Sequence, residues 1–381
     1  MKFLHTADWH VGRTIRGQSR AAEHAAVLAE LAGIARAHEV DAVLVCGDVF
    51  DTAAPTPESE QLVYRGLLDL AADGRTVVVI AGNHDSDRRL QAVAPLLDLG
   101  SVVTRPVFAD PDTSVVAVTS RDARETALVA TVPFLSQRWI VKASDLMAGS
   151  AAQAVQLYEH RYAELVRWLT SRFRDDTVNL VAAHAFVHGA EITGSERAAH
   201  LTTAYGVPST VFPANAHYVA LGHLHRPQAI PGPCPVRYCG SPLQLDFGEA
   251  GERKVAVVVE ASAATPARVE EVALTSGRAL RVVNGSLAEL QSIEVDDDAY
   301  VRVVVREKLR VGLADDVREL FPNAVDIVLA GSGSGPPSEP VGPVAQRTPH
   351  ELFSAYLADS DVDDDRLVAL FAELYEEVTA S

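Results

Sequence analysis

Cysteine is scarce: Cys46, Cys234 and Cys239 are the only three in 381 residues, and none lies in a CxxC pair. A disulfide framework and a paired-cysteine zinc site are therefore excluded, and the count suits a reducing compartment. Long apolar runs are missing as well; none reaches the roughly 18 residues that a membrane span needs. The opening MKFLHTADWH meets acidic and polar residues within a few positions, which is not the pattern of a signal peptide. Together these absences predict a soluble cytoplasmic protein with no membrane partner. Basic residues are also in deficit, 33 against 51 acidic ones, for a net charge of −18. Such a balance argues against a protein that merely coats nucleic acid. The imbalance is uneven, with 9 basic and 20 acidic residues in 276–381 and 24 and 31 in 1–275. What the chain does have is apolar content, 48% of its residues, enough to bury a sizeable core. Its length suits two or three domains.

The first 275 residues alternate apolar runs with helical stretches, the pattern of a layered α/β domain. Runs occur at Lys2–His5, Ala42–Cys46, Thr76–Ala81, Leu180–Ala183, Tyr218–Leu221 and Lys254–Glu260. Helical patterns fall at about 20–38, 57–73, 87–98 and 150–174. From Arg281 onward, 281–283, 300–306 and 325–329 read as strands separated by two short helices, a small βαβαβ unit. The Gly, Ser and Pro content of 331–343 marks a linker. Beyond it, Thr348-Pro349-His350-Glu351 is a capping box that starts a helix, and a second amphipathic helix follows an acidic turn. The predicted units are 1–275, 276–330, a linker at 331–347 and C-terminal helices at 348–381.

Five of the apolar runs end in residues that ligate metals. They supply Asp8 and His10, then Asp48, then Asn83 and His84, then His184, and last His223 and His225. Residues just past the carboxyl ends of neighbouring strands share one crevice in open α/β sheets. Each fragment has an ordinary alternative: a capped turn for Asp8-x-His10, a β-turn for Gly47-Asp48, a turn dipeptide for Gly82-Asn83. Their common position after apolar runs is what carries the signal. Two Asp, one Asn and four His can hold two cations if one carboxylate bridges.

This series, with Asp51 three residues after Asp48 and with Asp85 after His84, resembles the five motifs of the calcineurin-like metallophosphoesterases. The stretches HTADWHVGR, GDVFDTAAPTPE, YVALGHLHRPQ and VRYCGSPLQLDF resemble one branch of that family, bacterial nuclease subunits that process DNA ends. The resemblance implies a layered β-sandwich flanked by helices, with a small α/β capping domain and C-terminal helices. It assigns one cation to Asp8, His10, Asp48 and His225 and the other to Asp48, Asn83, His184 and His223. Manganese is the expected metal, with magnesium, iron or zinc able to serve; no thiolate competes. Two such ions activate water and clamp a phosphate for in-line displacement. His84 is then a catalytic residue beside the phosphate and not a ligand. Asp51 would bond the His84 ring, its ordinary alternative being an Asx-turn before Thr52.

The implied activities are double-strand exonuclease and single-strand or hairpin endonuclease, in DNA repair, recombination and replication, within a nucleoid-associated complex. The implied partners are DNA, a second copy of the chain paired through the helices at 57–73 and 87–98, and an SMC-like ATPase. Arg13, Arg16, Arg20 and Arg226 are candidate phosphate contacts near the centre, and Arg302 and Arg306 in the small unit; solvated surface is their alternative. Leu352, Phe353, Tyr356, Leu370, Phe371 and Leu374 are the candidate docking face for the ATPase. Asp85 and Ser86 read as a helix N-cap. A phosphatase or cyclic-nucleotide phosphodiesterase with the same dimetal site is the alternative function. A scaffold with a decayed site is disfavoured, because no ligand position is substituted.

Overall fold

The computed structural model describes residues 1–140, 151–193, 196, 206–295 and 298–330, together with 353, 357, 366, 367, 370 and 371. Two six-stranded sheets pack face to face. In the first, β1 (Lys2–Thr6), β2 (Ala42–Cys46), β3 (Thr76–Ile80) and β4 (Val102–Arg105) run parallel. β11 (Val255–Ser262) and β12 (Thr265–Ala273) complete it in antiparallel sense, in the order β12-β11-β1-β2-β3-β4. The second contains β5 (Val115–Thr119), β6 (Thr126–Val132), β7 (Val178–His184), β8 (Tyr218–Gly222), β9 (Gln228–Ile230) and β10 (Val236–Tyr238). Its order is β9-β10-β8-β7-β6-β5, with β6, β7, β8 and β10 parallel.

The central strands are apolar without interruption because both of their faces are buried. Along β2, Ala42, Leu44 and Cys46 enter the core between the sheets, while Val43 and Val45 enter a second core beneath helices. Those helices are α1 (Ala21–Ala37), α2 (Pro57–Ala71) and α3 (Asp87–Asp98), which contribute Leu28, Leu31, Val63, Leu67, Leu90 and Leu97. Thr56 caps α2 by accepting from Ser59 N–H, with Pro57 at the first helical position. On the other side, α4 (Ala151–Thr170) buries Tyr158, Tyr162, Val166 and Leu169 against the second sheet. The layers are therefore helix, sheet, sheet, helix. Among the described residues no helix is long and apolar enough to cross a membrane.

A third sheet follows, parallel throughout: β13 (Leu280–Gly285), β14 (Tyr300–Val305) and β15 (Ala324–Leu329). The short helix Leu287–Leu290 and α5 (Leu313–Leu320) connect its strands, and Val283, Val301, Val303, Val317 and Phe321 form its own core. It meets the sandwich through a cluster of Ile15, Phe247, Leu280 and Tyr300. Tyr300 Oη also donates to Glu23 Oε1 at 3.0 Å.

Candidate metal centre

The motif-bearing loops leave the same ends of five strands. Asp8 and His10 follow β1, Asp48 follows β2, and Asn83 and His84 follow β3. His184 closes β7, and His223 and His225 follow β8. All eight residues meet in one buried crevice where the two sheets converge. The loops after β1 and β2 stay paired past the strands: Asp8 N–H donates to the Gly47 carbonyl and His10 N–H to the Asp48 carbonyl, both at 3.0 Å. Asp8, His10, Asp48 and His223 all have positive φ, at 53°, 46°, 50° and 108°. Such conformations cost non-glycine residues about 1–3 kcal/mol each and persist only where neighbouring bonds enforce them. Gly222 is needed where the sheets touch, since a Cβ there would lie 1.9 Å from the Cys46 carbonyl oxygen.

Asp48 sits at the middle. Its Oδ1 accepts the His84 backbone N–H at 2.8 Å. Its Oδ2 lies 3.7 Å from His10 Nε2 and 3.5 Å from His184 Nε2. On one side, His10 Nε2 and His225 Nε2 face each other at 3.1 Å, and Asp8 completes a group whose ligand atoms lie within 4.8 Å of one another. On the other side, Asn83 Oδ1 is 3.0 Å from His184 Nε2 and 2.9 Å from His223 Nδ1. Asp48 lies between these two half-sites, and Asp8 also comes within 4.8 Å of the ligand atoms of Asp48 and His184.

The donor chemistry fits divalent cations. His184 Nδ1 donates to the Cys46 carbonyl at 2.8 Å and His225 Nδ1 to Glu249 Oε1 at 3.1 Å. Each bond leaves the Nε2 lone pair aimed inward, the tautomer a metal-ligating imidazole needs. Burial, joined by the Asp48 charge, pushes the Asp8 carboxyl up to about 7. Burial also opposes the Asp48 charge, but His184 and then His10 and His84 outweigh it and hold that carboxyl well below its usual range. Burial likewise disfavours a proton on His184, yet Asp48 and Asp8 push its pKa up to about 9. Two crowded carboxylates thus favour positive charge in the crevice, and a divalent cation held there would compete with a proton on His184.

His84 and Asp51 meet, but not through the expected atoms. His84 Nδ1 donates to the main-chain carbonyl of Asp51 at 2.8 Å, which leaves its Nε2 as the working nitrogen. The Asp51 carboxylate faces His10 Nδ1 and Arg13, each at 3.4 Å. Asp85 is not the N-cap; Ser86 fills that role by accepting from Arg89 N–H. Asp85 instead accepts from Gly82 N–H at 2.9 Å and Phe50 N–H at 3.0 Å, joining the β2 and β3 loops.

Arg20 needs correction as a phosphate contact. Its side chain is 0% exposed, binds both oxygens of Glu23 and donates to the Gln244 carbonyl, so it has no surface to offer. Arg16 and Arg302 both donate to Asp326 Oδ2, at 2.8 and 2.7 Å, joining the loop after β1 to the third sheet. Arg226 pairs with Glu191 and Arg306 with Glu289; both are about half exposed. In the tail, the Phe353 and Phe371 rings stack at 4.2 Å and Leu370 is exposed. Leu352, Tyr356 and Leu374 lie outside the described residues. Sequence reasoning missed Glu249 and Lys254, a buried pair 2.6 Å apart that supports His225 from behind. Burial works against the Glu249 charge, but Lys254 and His225 hold its carboxyl below the usual range.

Comparison with known proteins gives the class first. The calcineurin-like phosphoesterase family model matches residues 1–227, the span that contains all eight residues of the crevice. Three relatives are named as the SbcD component of the nuclease SbcCD. That of Bacillus subtilis is 34% identical, over 98% of this chain and 97% of its own. That of Escherichia coli K12 is 34% identical over 76% and 72%, and that of Rhodobacter capsulatus 38% over 66% and 64%. The chain belongs to the SbcD family of calcineurin-like phosphoesterases.

Proposed function

We propose that this chain is the metal-dependent nuclease component of an SbcCD-type complex, hydrolysing DNA phosphodiesters as a double-strand exonuclease and a single-strand or hairpin endonuclease. The observation that carries this reading is the 34% identity to the SbcD component of Bacillus subtilis over 98% of the chain, joined to the gathering of seven donors from two sheets around Asp48. Asp8, His10, Asp48 and His225 would hold one cation; Asp48, Asn83, His184 and His223 the other. When bound, the two ions supply Lewis-acid polarisation of the phosphate and a lowered pKa for the attacking water. The mixed oxygen and imidazole set suits Mn2+.

The protein's own part is orientation and proton transfer. His84, fixed through Nδ1 by the Asp51 carbonyl, presents Nε2 to the crevice and protonates the leaving oxygen. Asp51 restrains His10 and Arg13. Arg13, Arg226 and Arg306 reach solvent and would contact flanking phosphates. Residues 276–330 would act as a cap that positions DNA, tied to the centre's first loop through Asp326. Leu68, Leu96 and Leu99 are 43%, 70% and 86% exposed on or beside α2 and α3, a face that supports pairing with a second copy. The C-terminal helices would dock the ATPase SbcC, in the nucleoid-associated cytoplasm.

The test uses the purified chain with Mn2+ on linear duplex, hairpin DNA and a phosphomonoester dye. Cleavage of both DNAs is expected. Turnover of the dye alone would replace the nuclease reading with a small-substrate phosphatase.

A further inference from the structure

Beside the centre, a cleft of about 230 Å³ opens between the loop after β3 and the segment 133–139. Asn83, Asp87, Phe108, Phe134 and Trp139 are among its walls, so it shares a residue with one half-site. Phe134 faces both spaces. Its ring stacks near His223, at 6.2 Å and 26°, and meets His184 edge-on at 6.2 Å. Phe108 and Trp139 contact edge to face at 5.4 Å. Trp139 remains 54% exposed, so a large flat aromatic surface is presented to solvent next to the centre. Among the described residues, the charged groups of the lining are Asp85 and Asp87, and none of the lining residues is a lysine or arginine. Acidic walls repel a phosphate, whereas an uncharged aromatic ring is welcome there.

We propose that this cleft is a base-binding subsite, which takes one unpaired base of the strand whose phosphate lies at the centre and stacks it on Trp139. The proposal rests on the nuclease reading above. A phosphate drawn into a buried crevice cannot keep its neighbouring base in the duplex stack, and the displaced base needs an aromatic surface elsewhere. Stacking of this kind tolerates any sequence, because every base has a π-face. The subsite therefore favours ends and hairpin loops, whose bases unstack at least cost.

Cleavage of a short single strand by the Mn2+-loaded full chain tests it. Trp139→Ala should raise KM about tenfold and leave kcat within about twofold, while Trp139→Phe keeps most of the affinity. An abasic site beside the cleaved bond should cost the wild type a similar factor and cost Trp139→Ala almost nothing. A binding measurement independent of hydrolysis accompanies these. In EDTA, the strand should quench indole fluorescence in the wild type and not in Trp139→Phe, and a fully abasic strand should quench neither. Unchanged KM in Trp139→Ala, or an equal abasic penalty in both proteins, overturns the subsite while leaving the nuclease reading intact. A wild type that cleaves no DNA overturns the nuclease reading instead, and the quenching comparison then decides the cleft alone.

Discussion

Asp48 and His84 are adjacent in the crevice yet should fail in different ways. Asp48→Asn keeps an oxygen to accept the His84 backbone N–H, and asparagine tolerates the positive φ of 50° found there. It loses the charge that faces both His10 and His184, so we expect Mn2+ binding and hydrolysis to collapse at an unchanged melting temperature. Near-wild-type cleavage by Asp48→Asn would remove the shared-carboxylate assignment. His84→Ala retains the same backbone bond and should retain both metals, losing turnover by about 10²–10⁴ if the imidazole is the general acid. His84 also lies within ligand distance of His10 and Asp48, so elemental analysis of the variant separates the two roles. Loss of a metal would make His84 a ligand. The seven donors were legible because each follows an apolar run, and their order restricts the fold that can gather them. Glu249 was not, for a lone acid among 51 acquires meaning only when the chain folds it against His225 and Lys254. Arg20 misled for the complementary reason: a basic residue near a motif is surface-exposed by default, and its burial depends on Glu23 and Gln244.

The central strands β1, β2, β3, β7 and β8 were readable as continuous apolar runs because helices or the opposing sheet cover both faces. β5 and β12 were not, since edge strands with one solvated face carry too few apolar residues to stand out; β5 alternates buried and exposed positions throughout. His5 shows how the two sheets are fastened behind the centre. From β1, its Nε2 donates to the Leu221 carbonyl at 3.1 Å and its Nδ1 accepts from Tyr218 Oη at 3.0 Å, both on β8. Leu221 is two residues before His223, so this clamp sets the height of the β8 loop. Burial lowers the His5 pKa from 6.5 to about 3, and the ring is neutral in the folded protein. The unfolded chain binds a proton at His5 below pH 6.5 and the folded one does not until about 3. Its contribution is therefore present above 6.5 and lost as pH falls through that window. Asp8 and Asp85 titrate in the same window with opposite sign, since their carboxyls are raised. The informative quantity is thus the difference in urea midpoint between wild type and His5→Gln. We expect that gap to narrow steadily from pH 6.5 downward; a gap independent of pH would mean that His5 titrates in the fold as it does in the unfolded chain.

Along the chain, charge sets the tail apart from the rest. Residues 348–381 carry nine acids against one basic residue, and Asp361, Asp363, Asp364 and Asp365 cluster between the two helical patterns of the tail. A tail of that sign repels phosphates, so its apolar residues are suited to protein and not to DNA. Short helices are marginal alone and need an apolar surface to fold against. Phe353 and Phe371 stack on each other, and Leu357 is buried, which supports the tail's internal packing. Leu367 and Leu370 are left 37% and 48% exposed, and these are the residues a partner would cover. We therefore expect a chain ending at residue 330 to cleave short single strands with unchanged metal dependence and to lose co-purification with SbcC. Phe371→Glu would disturb the ring stack as well as any interface, so Leu370→Glu in the full chain is the cleaner probe. It should weaken SbcC binding at least tenfold, as loss of one anchor in an apolar groove does, without altering the melting temperature of the chain alone. Undiminished capture of SbcC by the truncated chain would assign the tail to packing within its own molecule.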